Sequence, residues 1–126
     1  MYKWNLLAGW LGILAGFVTG ALQGIFFARA DWLGGYASWP RRMLRLGHIA
    51  LIALGLINIA FFATAEALHF GSGFGTRCIA LGFLAGHATM PVICYLAAYR
   101  TGFRQLFFIP TACLLGGAGA LVWRLA

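Results

Sequence analysis

Acidic side chains are almost missing from this sequence of 126 residues: only Asp31 and Glu66 are present, and no charged residue lies in the interior of its four long apolar runs. Asp31 precedes the second run and Glu66 closes it. If that run crosses a membrane, the two carboxylates stand on opposite sides and cannot share a proton as an acid–base pair. Serine is equally scarce. Ser38 and Ser72 fall in connections on opposite sides, which excludes a serine nucleophile working with His87 inside the membrane. Cys78, Cys94 and Cys113 show no CxxC spacing, so neither a disulfide framework nor a metal site is indicated, and they read as small apolar packing residues. A charge at mid-membrane is costly and is kept mainly where ions or protons move. Its absence here removes the usual means of pumping, and no enzyme activity is expected.

What is present is apolar surface. Hydrophobic residues make up 63% of the chain against 9% charged, more than a soluble domain of this length can bury, whereas a bilayer can solvate the excess. The fold class is therefore all-α: a polytopic integral membrane protein with four transmembrane helices in a small bundle, forming one domain over 1–126. The helices are expected near 4–28, 44–65, 77–99 and 106–123, each long enough to cross a hydrocarbon core of about 30 Å at about 1.5 Å per residue. The first run ends in Ala28-Arg29-Ala30, which matches a cleavage pattern, but it is too long for a signal peptide and is read as a retained helix.

The basic residues are unevenly placed. Arg29, Arg41, Arg42, Arg45, Arg100 and Arg104 lie on the side of the first and third connections, and Lys3, Arg77 and Arg124 on the other. That bias puts those two connections in the cytoplasm and both termini outside, in a membrane of the bacterial inner type. Because the cations cluster at helix ends and form no groove-reading face, nucleic acid is not an expected partner. The first connection carries Trp32, Tyr36 and Trp39, rings suited to the headgroup level, with Gly34-Gly35 to break the helix and Pro40 suited to the first turn of the next one. Gly71-Ser72-Gly73-Phe74-Gly75 superficially resembles a phosphate loop, but no strand precedes it and no Lys-Ser/Thr pair follows, so it reads as a flexible outer turn.

Inside the runs, small residues recur every four positions in the first helix at Ala8, Gly12, Gly16, Gly20, Gly24 and Ala28. In lipid such a ridge lets helix backbones touch, and shorter versions occur at Cys78, Gly82 and Gly86 and at Ala112, Gly116 and Ala120. Counting depth from the cytoplasmic ends puts Gln23 and His48 at about 6 to 8 Å and Asn58 and His87 at about 18 to 21 Å. Two interhelical pairs follow, Gln23 with His48 and Asn58 with His87. Pro91 removes the donor that would face the His87 carbonyl, which leaves a cofactor or small ligand at His87 as an alternative to the paired role. The depth difference of about 12 Å between His48 and His87 argues against both ligating one haem within the chain.

These features suit a non-catalytic accessory or structural subunit of a larger membrane complex, with no cofactor of its own. The membrane histidines suggest an electron-transport complex, respiratory or photosynthetic. The expected partners are the lipid bilayer and other membrane subunits. A membrane subunit binding haem b or quinone through His87 or His48, with Arg45 near a headgroup, is the alternative reading. A small channel or transporter is the third.

Overall fold

The computed structural model describes residues 2–126 and contains four long helices, with no strand among those residues. Helix α1 spans Lys3–Phe27, α2 Trp39–Ala67, α3 Phe74–Tyr99 and α4 Phe108–Leu125, the last led in by a 3-10 segment over Thr101–Phe107. Each, the fourth together with its lead-in, is long and apolar enough to span a bilayer. The chain is an all-α integral membrane protein. Large apolar side chains on the outside, such as Trp10, Leu14, Phe17 and Val18 on α1, are exposed in the isolated chain and are the surface that lipid covers.

Two helices start earlier than the hydropathy suggests, for local reasons. Helix α2 begins at Trp39 rather than Leu44, because Ser38 caps it by accepting from the Arg41 backbone N–H at 3.5 Å and Pro40 sits in the first turn, where its missing donor is harmless. Helix α3 begins at Phe74 rather than Arg77. Extended backbone at Gly73 turns the chain, and the Gly73 carbonyl accepts the first bond, from Arg77 N–H at 3.1 Å. Pro91 is buried and the helix runs through it unbroken.

Each helix packs on its neighbours in sequence, and α1 also touches α3, so α1, α2 and α3 form a triangular cluster. Helix α4 leans on α3 and makes no comparable contact with α1 or α2. The four-helix bundle is thus three helices plus one. Its apolar core lies toward the end bearing the termini, where Tyr2, Phe61 and Phe83 meet ring to ring at 5.3 and 5.6 Å over Ile79 and Ala65. The Tyr2 hydroxyl donates to the Gly71 carbonyl at 2.9 Å, and the Arg124 guanidinium lies 4.5 Å from the Phe70 ring centre, which ties the first residues and the end of α4 to the second connection.

Candidate functional site

A polar cluster joins α1, α2 and α3 inside the apolar interior. Asn5 Nδ2 donates to Asn58 Oδ1 at 2.8 Å and to the Ala80 carbonyl at 3.0 Å, while Asn58 Nδ2 reaches the Leu54 and Phe83 carbonyls at 2.9 and 3.3 Å. His87 Nδ1 stands 3.4 Å from Asn58 Nδ2. Asn5, Asn58 and His87 are all buried. The other edge of the His87 ring presses on α1: a Cβ built on Gly12 would lie 2.2 Å from Nε2 and 2.9 Å from the Leu51 carbonyl oxygen. An iron bonded to that nitrogen would need α1 to move away.

His48 repeats the device nearer the arginine-rich end. Its Nδ1 lies 2.7 Å from the Gly16 carbonyl, and a Cβ on Gly20 would fall 2.4 Å from its Cε1. The ring therefore meets α1 backbone instead of the Gln23 side chain that equal depth suggested. The reason is the glycine ridge itself: with no side chains at Gly16 and Gly20, a carbonyl of α1 becomes reachable from α2. Both histidines fill notches left by glycine.

The ridge faces α2 of the same chain and, at Gly12, His87 of α3, and its extent differs from the four-residue spacing. Gly12, Gly16 and Gly20 lie against His87, Ile52 and His48, but Gly24 has nothing within 4 Å. The closest approach of backbone to backbone lies outside the repeat, between Gly9 and Gly55, where a Cβ on either would stand 2.7 or 2.6 Å from the other's carbonyl oxygen. On α3, Gly82 and Gly86 receive Cys113, Gly117 and Leu114 of α4. The expected α4 stripe is displaced by one residue, since Gly117 is buried while Ala112, Gly116 and Ala120 point outward.

The first connection is held by Arg41, which in the sequence stands out only as one of the topology-setting cations. Arg41 is buried, donates from Nε to the Trp32 carbonyl at 2.6 Å and from Nη2 to the Arg29 carbonyl, and places its guanidinium 5.1 Å from the Phe27 ring centre. One planar fork thus receives the chain as it leaves α1. Between those two carbonyls and Gly35, Leu33 is held in the left-handed region at φ 53, a conformation costing about 1 to 2 kcal/mol for a side chain of its kind. Trp32 stacks on Phe26 at 5.2 Å, and Trp39 Nε1 donates to the Ala97 carbonyl at 2.7 Å, so two of the three rings expected at the headgroup level are structural ties. Tyr36 is exposed, with Arg45 over its ring at 4.1 Å.

Beside this connection opens a cleft of about 640 Å³ between α1, the connection, and the facing ends of α2 and α3. Gln23, Phe26, Trp32, Leu33, Leu44 and Tyr99 are among its walls. Neither histidine lines it, and Arg45 does not either. Among the described residues no group of three or more His, Cys, Asp or Glu side chains is placed to hold a metal ion. The chain matches no protein-family model, no curated protein and no solved structure.

Proposed function

We propose that this chain is a non-catalytic accessory subunit of a larger membrane assembly, docked to a neighbouring subunit through the open face of α4. The observation that carries this reading is a stripe of small residues on the outward surface of α4. Helix α1 shows lipid Trp10, Leu14, Phe17 and Val18; α4, with α3 as its one close neighbour, likewise exposes Phe108, Leu115, Val122 and Trp123, but it also turns out Ala112, Gly116, Gly119 and Ala120, with nothing within 4 Å of a Cβ at either glycine. Lipid tails gain nothing from a flat helix face, but a second helix does, because small residues let backbones approach and make dispersion contact. The interior supports the same role. Asn5, Asn58, His48 and His87 are spent on holding α1, α2 and α3 together, and nothing in His48 or His87 ties the chain to electron transfer, since the protein itself engages both rings. The arginine-bearing connections are assigned to the cytoplasm and both termini to the outside, in an inner membrane of bacterial type.

Native gel electrophoresis after mild detergent extraction tests the proposal. Wild-type chain is expected in a species far larger than its own 13.6 kDa, and Gly116→Leu is expected to release most of it, with Ala53→Leu, on an exposed position of α2, as the control. Migration of the wild type as a small species, or equal behaviour of both variants, overturns it.

A further inference from the structure

We infer that the cleft at the arginine-rich end is a binding site for a quinone, whose ring enters between α1 and the first connection and whose prenyl tail leaves into the bilayer. The inference stands apart from the assembly proposed above and rests on the cleft alone. Its volume of about 640 Å³ is that of a small-molecule site, and it opens within the outer third of apolar helices, where a ligand would arrive from lipid.

The walls select the head. Trp32 lies stacked on Phe26, with rings 19° from parallel, and offers a flat apolar surface of the kind a planar ring covers. The Gln23 amide is half-buried in the wall and has no hydrogen-bond partner among the described residues. Thr19, also in the wall, already donates to the Ala15 and Gly16 carbonyls at 2.8 and 3.1 Å, while the Tyr99 phenol and the Trp32 indole add two further donors to the lining. Donors are what a quinone carbonyl needs, since it is an acceptor without a proton of its own, and of the uncommitted ones on the helices the Gln23 amide is set deepest in the wall, Tyr99 being exposed. A phosphate head is poorly served. No charged side chain lines the cleft among the described residues, and the nearest buried cation, Arg41, is committed to two backbone carbonyls. Leu33 adds a structural cost borne at this place: its strained backbone holds its side chain in the cleft wall.

The test uses the full-length chain in quinone-free phospholipid nanodiscs, titrated with a decyl-tailed benzoquinone and followed by quenching of tryptophan fluorescence. Saturable quenching is expected above the linear background of partition into lipid, and Trp32→Phe should remove most of it. Gln23→Leu should weaken binding by about tenfold at most, the loss of one hydrogen bond, with unchanged helicity because the amide has no partner to lose. Ala98→Phe, which fills the cleft, should abolish the saturable phase. The inference is overturned by purely linear quenching in the wild type, by unaltered affinity in Gln23→Leu, or by equal binding of the same decyl chain on a ring without carbonyls. The last result would mark a groove for lipid tails.

Discussion

Two side chains that sequence reading treated alike, Asn58 and Gln23, do opposite things. Depth along the helices pairs each of them with a histidine. Asn58 is fully buried, with both ends of its amide engaged from three helices, whereas Gln23 is half-buried with no partner among the described residues. Removing one member of a buried hydrogen-bonded set strands the others, at about 1 to 3 kcal/mol. Asn58→Leu is therefore expected to lower stability by about 2 kcal/mol, and Gln23→Leu to leave it within about 0.5 kcal/mol, in reversible unfolding of the detergent-solubilised chain by sodium dodecyl sulfate. Equal losses would show that the buried amide network carries no special weight. The meeting of Asn58 with His87 was legible from depth along the helices, but Asn5 was not. It is the third residue of α1, a position that counting from the end places at the headgroups, whereas α2 runs nine residues past Asn58 before it ends at Ala67, so the two helix ends are not level. Arg41 was hidden for another reason: a guanidinium can be satisfied by backbone carbonyls alone, and no sequence pattern marks a carbonyl as free.

At the scale of the helix, small residues were legible as a pattern but not as an interface. A repeat of four describes one stripe on a straight helix, and two crossing helices touch only over part of it. The stripe on α1 consequently makes contact from Gly12 to Gly20 and passes into open space at Gly24, while the tightest backbone-to-backbone approach uses Gly9, one position off the repeat. Alanine substitution separates these cases. At Gly12 the added Cβ would overlap His87 Nε2 at 2.2 Å and meet the Leu51 carbonyl at 2.9 Å, so either the ring or the helix must shift. At Gly24 it meets nothing, and the helix gains up to about 1 kcal/mol from the better propensity of alanine. Gly12→Ala is expected to destabilise by about 1 to 3 kcal/mol and Gly24→Ala to be neutral or stabilising, measured in the same unfolding assay. Loss of stability at Gly24 comparable to that at Gly12 would mean that α1 continues into an interface with another chain.

For the whole molecule, the number of helices and their apolar character were plain from composition, while the arrangement of three plus one was not. A soluble helix announces its inner face by an apolar stripe, but helices solvated by lipid are apolar all round, and their neighbours cannot be read from hydropathy. The orientation across the membrane rests on a different physical signal, the arginine bias. Arg41, Arg45 and the first connection form one ordered unit through backbone carbonyls and rings, so the cations on this connection move with it as a group. Single cysteines in a chain with Cys78, Cys94 and Cys113 replaced by alanine test this. Position 37 is preferable to 38, because Ala37 is exposed whereas Ser38 caps α2 and its loss would loosen the start of that helix. With an impermeant maleimide on intact cells, Ser72→Cys is expected to react from outside and Ala37→Cys only after the membrane is opened. The reverse result would invert the topology, and partial labelling of both positions would mean that the chain inserts in two orientations despite its charge bias.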